Sequence, residues 1–321
     1  MKQTTIRREN AHQRLDKFVR KWLEDAPLSF IYKRFRKKDI KVNGKWAKAE
    51  YIVQEHDVIT IYVSEEQYAD FSVHRRIEPK PFPFSVVYED DNVLIVHKPK
   101  GVLVQGEGKL IETTLTTHVQ SYLAFKGEYD SQEPGVIPSP AHRLDRQTSG
   151  LIVYGKTIAA LQALQQLFKD HELSKVYIAL VHGRVETSGK ISLRLTKDSD
   201  KKMVYIARGE EVGMAATTLY DVIEQFQDYT LLKVQIITGR THQIRVHMKA
   251  IQHPVVGDQK YGDFEKNATV KKQFGYEAMF LVAQELTFPP LTGALSNLSE
   301  KKFTIEMDEI DQQFLVELKA L

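Results

Sequence analysis

The sequence predicts an α+β fold in which a larger domain with a mixed, largely antiparallel sheet follows a small N-terminal α/β module. Three observations predict this class. The chain of 321 residues exceeds the usual size of one domain. The strand-like segments after residue 85 do not alternate regularly with helices, as a doubly wound parallel sheet would require. Positive charge is concentrated at the start, since residues 1–72 carry 15 Lys and Arg against 11 Asp and Glu, whereas the remaining residues carry 30 and 31.

The composition excludes several kinds of site. The chain has no cysteine, so disulfides, thiolate metal sites, iron–sulfur clusters and cysteine nucleophiles are excluded. No apolar segment suits a signal peptide, and no apolar run approaches the 18 residues that a membrane-spanning helix needs. We therefore expect a cytoplasmic protein with no membrane partner.

Two short helices and a short sheet are predicted within residues 1–74. In the first helix, at 14–23, the apolar residues share one face: Leu15, Phe18, Val19, Trp22 and Leu23. Ser29 is the predicted N-cap of the second helix, with Ile31 and Phe35 pointing inward. Asn43-Gly44 favours a tight hairpin because both central positions adopt positive φ. The segment 58–63 is predicted as a further strand.

A dense group of cations spans the second helix and the hairpin. Eight Lys or Arg lie within sixteen residues, with Asp39 as the only acid: Lys33, Arg34, Arg36, Lys37, Lys38, Lys41, Lys45 and Lys48. A solvated helix face would explain a generic basic run. This density across a helix and a hairpin is more typical of contacts to a phosphate backbone.

The module resembles an S4 RNA-binding domain. The resemblance is carried by RLDKF at 14–18, by IYKRFRKKDIKVNGK at 31–45 and by the strand that follows. The Gly-Asp pair usual before that strand is replaced by His56-Asp57, so the turn there must differ. The resemblance implies that the basic cluster binds RNA.

The larger domain is predicted at 86–321, after a linker at 75–85 that contains three prolines. Strands are predicted at 93–96, 150–154, 176–181 and 231–237. A helix is predicted at 157–170, with one apolar face: Leu161, Leu164, Leu167 and Phe168.

The segment HRLDRQTSGL at 142–151 is the most informative for chemistry. It places Asp145 in a polar loop before an apolar strand, between Arg143 and Arg146. A structural ion pair between aspartate and arginine is the alternative explanation. Neighbouring cations favour the ionised carboxylate, which is the form that a covalent nucleophile requires.

Five ordered segments resemble the RluA-type pseudouridine synthases, and the resemblance covers the chain from about residue 12 onwards. They are YEDDNVLIVHKPKG at 88–101, HRLDRQTSGL at 142–151, KVYIALV at 175–181, TGRTHQIRVH at 238–247 and HPVVGDQKYG at 253–262. The sequence departs from the family at Gln105, where His is frequent, and at 281–283, where Leu-Val-Ala replaces Leu-His-Ala. The resemblance implies an isomerase that converts uridine to pseudouridine in structured RNA, with the fold of that family.

The resemblance also implies roles for particular residues. Asp145 is the expected nucleophile or acid–base group at the ribose. The target base must be extruded from folded RNA, and Arg143 is the candidate to occupy the gap. Tyr177 is expected to stack on the flipped base, where its hydroxyl can move a proton, and Leu281 is expected beside that base.

Arg245 is the residue expected to pair with the catalytic carboxylate. We predict that it lies near the start of a helix capped by Thr241, with three apolar residues inward: Ile244, Met248 and Ile251. Both the guanidinium and the helix dipole would then favour an anionic Asp145.

No metal or cofactor is expected. His242 and His247 would lie about 140° apart on a helix of 3.6 residues per turn, so they do not share a metal easily. His142 is predicted to fix its loop by a hydrogen bond. No phosphate-binding or dinucleotide-binding glycine motif precedes a helix, so no nucleotide cofactor is expected.

Three alternatives stay open at the level of sequence. The first is a non-catalytic RNA-binding or ribosome-assembly protein, although Asp145, Tyr177 and Arg245 are all present. The second is a hydrolase, which would need a second carboxylate at a set distance from Asp145. The third concerns the substrate: the module most resembles that of members acting on large-subunit (23S) ribosomal RNA, which we expect here, whereas other members modify transfer RNA.

Overall fold

The computed structural model describes residues 1–72, 82–106, 113–129, 137–198, 200–208 and 212–320. Within these residues the strands form two sheets, one of four strands in the N-terminal part and one of eleven strands in the rest. Residues 75–81 of the predicted linker lie outside the described residues, so the domain limits at 74 and 86 stay predictions. No helix in the described ranges is long and apolar enough to cross a lipid bilayer.

The N-terminal part contains the two short helices and the short sheet that the sequence predicts. Its elements are β1 (Lys2–Thr5), α1 (Leu15–Trp22), α2 (Leu28–Arg36), β2 (Ile40–Val42), β3 (Lys45–Trp46), β4 (Val58–Ile61) and α3 (Glu65–Phe71). The antiparallel sheet has the order β1-β4-β2-β3. The predicted apolar face of α1 is buried, as are Ile31 and Phe35 of α2. The assignment of this part as an S4 domain stays a prediction.

One local prediction in this part is confirmed and one is wrong. Asn43 and Gly44 have φ of 50° and 76°, as the predicted hairpin requires. Helix α2, however, begins directly after Pro27, and Ser29 lies inside its first turn and does not cap it. The ring of Pro27 fixes φ at −57° and presents no N–H donor, so the helix starts there without a capping side chain.

The larger part is built on the eleven-stranded sheet. Its elements are β5 (Ser85–Glu89), β6 (Val93–Lys98), α4 (Leu115–Phe125), β7 (Ser139–Pro140), β8 (Ser149–Gly155), α5 (Ile158–Lys169), β9 (Ser174–His182), β10 (Gly189–Asp198), β11 (Met203–Ile206), β12 (Met214–Gln225), β13 (Tyr229–Ile236), α6 (Gln243–Ala250), α7 (Phe264–Phe274), β14 (Leu281–Thr287), β15 (Lys302–Thr304) and α8 (Glu309–Lys319). The main order is β11-β10-β12-β13-β9-β14-β8-β6-β5, with β15 beside β14 and β7 beside β8. Among these described strands β8 and β14 are parallel and the other pairs are antiparallel. The predicted mixed, largely antiparallel sheet is confirmed.

Strand β8 is buried along its whole length because helices cover both faces of the sheet. Leu151 and Val153 pack in one apolar cluster with α5, whereas Ile152 and Tyr154 pack in another with α4. Burial on both faces explains why the strand is a continuous apolar run.

Gly150 determines how closely β8 and β14 approach each other. Its φ is +131°, and a Cβ at this position would collide with the backbone of Ala283, so glycine is required. The parallel pairing joins Ser149 to Val282 and Gly150 to Ala283. The loop that precedes β8 therefore lies beside the start of β14, where Leu281 is found.

Candidate active site

The loop at 142–148, called here the Asp145 loop, connects β7 to β8. The side chain of Asp145 is 27% exposed. His142 fixes the start of the loop, because its Nε2 accepts a hydrogen bond from the backbone N–H of Val153 at 3.2 Å and its ring stacks on Phe168. Burial lowers the pKa of His142 to about 3, so the ring is neutral and can accept this bond. The predicted loop-fixing role of His142 is confirmed.

Lys98, at the end of β6, holds the other side of the Asp145 loop. Its side chain is fully buried, and Nζ donates to the carbonyls of Pro99, Val102 and Arg146 at 2.9, 2.8 and 3.0 Å. Burial lowers the pKa of Lys98 to about 7, although the charge of Asp145 opposes this shift. Because Arg146 follows Asp145 directly, these bonds restrict where the carboxylate can lie.

Arg245 is the cation that contacts Asp145. Its Nη1 donates to Oδ2 of Asp145 at 2.7 Å, while Nε and Nη2 donate to the two carboxylate oxygens of Asp258 at 2.7 and 2.8 Å. Burial alone would raise the pKa of Asp258, but the hydrogen bonds from Arg245 outweigh it and the pKa is lowered. Burial likewise opposes the charge of Arg245, and the two carboxylates raise its pKa. The expected pairing of Arg245 with Asp145 is confirmed.

The start of α6 differs from the prediction. The helix begins at Gln243, and the residue at its N-cap is His242, not Thr241. The side chain of Gln243 closes the preceding turn, since its Oε1 accepts from the hydroxyl of Thr238 at 2.8 Å and from the backbone N–H of Arg240 at 3.0 Å. The helix start has no capping side chain, and the backbone N–H of Gln243 donates to the carbonyl of Arg240 at 3.1 Å. Arg245 still lies in the first turn, as predicted.

Tyr177 and Leu281 lie in one apolar cluster beside the Asp145 loop. Tyr177 is 9% exposed on β9, Leu281 is 4% exposed on β14, and Leu144 packs against the same cluster. Burial first, and the charge of Asp145 second, raise the pKa of Tyr177, so its hydroxyl is protonated at neutral pH. The structure thus brings together four of the predicted site residues, Asp145, Tyr177, Arg245 and Leu281, whereas Arg143 is exposed.

Two residues of this site have no role in the sequence-based prediction. Asp258 is fully buried and holds Arg245 by two bonds. His242 places Nε2 at 3.7 Å from Oδ2 of Asp145. Both belong to the quoted family segments, but a linear motif does not show which of its polar residues meet in space.

The predicted cation cluster is only partly free for a ligand. Arg34 is half-buried, donates to Asp39 and Gln67 and lies over the ring of Phe30. Lys38 lies over Trp46 and Lys41 over Tyr62, which places two cations beside exposed aromatic rings. Five members of the cluster are exposed and carry none of these contacts: Lys33, Arg36, Lys37, Lys45 and Lys48.

The side chain of His247 is buried against β12. Its Nδ1 lies 2.9 Å from the hydroxyl of Thr218 in a buried position, whereas His242 faces Asp145. In the ranges that the structure describes, no group of three or more His, Asp or Glu side chains has the arrangement of a metal site.

A loop carboxylate beside a buried arginine and a buried tyrosine, on a mixed sheet, is the arrangement expected from the resemblance to RNA-modifying isomerases. Comparison with known proteins agrees. The family described as RNA pseudouridylate synthase matches residues 92–250, and full-length relatives in this family are more than 30% identical. The chain belongs to the RNA pseudouridylate synthase family.

Two similar proteins are named ribosomal large subunit pseudouridine synthase C. The protein of Vibrio cholerae is 33% identical over 306 residues, which cover 94% of this chain and 90% of the relative. That of Escherichia coli is 32% identical over 305 residues, covering 93% and 92%. Among solved structures, human RNA Pseudouridylate Synthase Domain Containing 4 shares the fold with a TM-score of 0.59 and 24% identity, over 73% of this chain and 93% of that one.

These comparisons confirm the predicted enzyme class, an RNA pseudouridine synthase. They favour it over the non-catalytic RNA-binding protein and the hydrolase that the sequence alone left open.

Proposed function

We propose that this enzyme isomerises uridines of large-subunit (23S) ribosomal RNA in the cytoplasm, with Asp145 as the catalytic carboxylate. The observation that carries the catalytic assignment is the bond of 2.7 Å from Arg245 to Asp145, in a site where a second carboxylate already holds the arginine. The substrate assignment is supported by the names of the similar proteins from Vibrio cholerae and Escherichia coli.

The reaction breaks the bond between N1 of uracil and C1′ of ribose, rotates the base and joins C5 to C1′. One proton leaves C5 and N1 gains one, so the product has the same atoms as the substrate. Asp145 either adds to C1′ or removes a ribose proton, and both routes need an ionised carboxylate. Arg245 stays directed at Asp145, because Nη1 donates to Oδ2 of Asp145 while Asp258 holds Nε and Nη2 of the same guanidinium.

The apolar cluster beside the Asp145 loop would receive the extruded base. Tyr177 offers an aromatic face for stacking, and Leu281 an apolar contact. Because the pKa of Tyr177 is raised, its hydroxyl enters the reaction as a proton donor or as part of a relay, and not as a preformed base. Exposed Arg143, at the edge of the loop, would occupy the space that the base leaves.

Residues 1–74 would supply RNA affinity through the exposed cations of α2 and the hairpin. The exposed members are Lys33, Arg36, Lys37, Lys38 and Lys45, and the half-buried Lys41 and Arg34 complete the predicted set. Neutralisation of phosphates by such residues gives affinity that does not depend on sequence. The isomerisation is balanced in atoms and electrons, so it consumes no oxidant, reductant or co-substrate, and we expect it to need no diffusible cofactor.

The substrate is tested by pseudouridine mapping of total RNA from cells with and without the gene for this protein. We expect sites in large-subunit ribosomal RNA to lose their signal when the gene is deleted and to regain it when the gene is restored. Purified enzyme should modify the same sites in a 23S transcript. If the pseudouridine signal is lost only from transfer RNA, the enzyme is instead a transfer-RNA pseudouridine synthase.

A further inference from the structure

His242 lies at the start of α6, but its side chain does not cap the helix. It stands at the N-cap of α6 with left-handed backbone angles (φ 53°, ψ 20°), yet its side chain makes no capping hydrogen bond. Left-handed angles are uncommon for residues with a Cβ, although histidine, like asparagine and aspartate, adopts them more often than most. The imidazole is instead mostly buried, 15% exposed, and faces the Asp145 loop.

Tyr261 determines which ring nitrogen of His242 carries the proton. The Tyr261 hydroxyl oxygen accepts a hydrogen bond from the backbone N–H of Val204 at 2.8 Å, and it lies 2.7 Å from Nδ1 of His242. Tyr261 is buried, and Nδ1 is the acceptor found for its O–H among the described residues. When Tyr261 donates to Nδ1, the proton of the neutral ring is on Nε2. The Nε2–H then points towards Asp145.

The charges around the imidazole are consistent with the neutral ring. Burial lowers the pKa of His242 most, Asp145 and Asp258 oppose that shift, and Arg245 and Lys260 add to it. These four charged groups lie on the Asp145 loop, on α6 and in the segment 258–261, which also carries Tyr261. The neutral ring offers one donor, and Tyr261 directs it.

We propose that His242, fixed as its Nε2–H tautomer by Tyr261, is a positioning residue that holds Oδ2 of Asp145. This inference rests on the proposed role of Asp145. Arg245 Nη1 and His242 Nε2 both face Oδ2, at 2.7 and 3.7 Å. Oδ1 is then the oxygen that faces the substrate. At 3.7 Å these two atoms are not hydrogen-bonded, so the proposal requires them to approach to about 3 Å when RNA binds, as catalytic hydrogen bonds often do.

The test is a double-mutant cycle of Tyr261→Phe and His242→Gln in the full chain. Tyr261→Phe keeps the aromatic ring, which also lies over Arg245, and removes only the hydroxyl. We expect single-turnover catalysis to slow about tenfold, as for a lost hydrogen bond to a charged group, with RNA affinity unchanged. His242→Gln should stay within about threefold of wild type, because its amide N–H₂ donates without a tautomer to fix. Adding Tyr261→Phe to His242→Gln should then change little.

A matched control and a spectroscopic measurement separate positioning from a structural effect. Tyr88→Phe removes a hydroxyl that donates to Asp90 at 2.8 Å in β5, and it should leave the rate unchanged. ¹⁵N spectra of histidine-labelled enzyme should show the His242 proton on Nε2 and should lose that preference in Tyr261→Phe. The His242 resonance is assigned as the one that is absent from the spectrum of His242→Gln.

Several results would overturn the proposal. They are a wild-type rate for Tyr261→Phe, an equal loss from Tyr261→Phe in both backgrounds, or a His242 proton on Nδ1 in the wild-type enzyme. Failure of the proposed function looks different, because Asp145→Asn would then be active. An inactive Asp145→Asn together with a fully active Tyr261→Phe would reject the role of Tyr261 and His242 alone.

Discussion

Replacement of Arg245 by methionine should destabilise the fold as well as abolish catalysis. The substitution keeps the length of the apolar stem and removes three charge-assisted hydrogen bonds, at 2.7, 2.7 and 2.8 Å. Asp258 is fully buried and would keep only the backbone N–H groups of Lys260 and Tyr261. Removing one partner of a buried ion pair costs about 3–5 kcal/mol, because the other charge is left uncompensated.

The loss should depend on pH in a defined direction. In the wild type Asp258 has a lowered pKa, so the stability it contributes is present above the unfolded pKa and is lost as pH falls through the folded value. In Arg245→Met, burial without the cation raises the pKa of Asp258. As pH falls, the carboxylate of the variant is therefore protonated before that of the wild type, and protonation removes the cost of the unpaired charge. The difference in unfolding free energy should therefore be largest at neutral pH and shrink towards about pH 4.

Urea unfolding of both proteins from neutral to mildly acidic pH measures this difference. Lys319→Met is the control, because it breaks an exposed pair with Glu224, 3.0 Å long, and should cost less than about 1 kcal/mol at any pH. A loss for Arg245→Met as small as that of the control would refute the reasoning. So would a loss that does not vary with pH.

Three further predictions concern the base, the RNA and the C-terminal helix. Tyr177→Phe should bind RNA normally but react at least about 10²-fold slower in single-turnover assays. Tyr177→Leu should in addition lose roughly 1–3 kcal/mol of RNA-binding free energy. A Phe variant as fast as wild type would limit the role of Tyr177 to stacking. Deletion of residues 1–74 should weaken RNA binding. It should also reduce the slope of the logarithm of the RNA association constant against the logarithm of salt concentration, because fewer counterions are released. An unchanged slope would mean that the module does not contact RNA. Asp311→Ala should lower the free energy of unfolding in urea by about 3–5 kcal/mol, because it removes the carboxylate that pairs with largely buried Lys100. The double variant Lys100→Met with Asp311→Leu should recover most of that free energy. Wild-type stability of Asp311→Ala would contradict this prediction.

Local patterns predicted the local structure well. The apolar spacing of α1 and the pair Asn43-Gly44 both act through neighbouring residues, and both predictions are confirmed. The two predicted helix caps, Ser29 and Thr241, are wrong: Pro27 occupies the N-cap position of α2 and His242 that of α6, and neither side chain caps its helix. A cap preference describes a residue type, not the competition among neighbours for the same backbone donors.

Long-range contacts were the part that the sequence could not supply. The parallel pairing of β8 with β14 joins segments more than 130 residues apart in the chain and depends on a close approach at Gly150. The role of Asp258 likewise depends on the fold bringing it to Arg245. The resemblance identified Asp145, Tyr177 and Arg245 as a set, but the residues that hold that set in place were visible only in the structure.

The central claim is that Asp145 performs the chemistry, and its most direct test is pseudouridine formation by Asp145→Asn. The substitution keeps the shape of the side chain and removes the charge that both proposed routes require. Mass spectrometry of the purified variant should first confirm that no wild-type aspartate is present. We predict no detectable pseudouridine in a 23S transcript, with RNA affinity within about tenfold of wild type, or 1.4 kcal/mol. Measurable turnover by the verified variant would contradict the account.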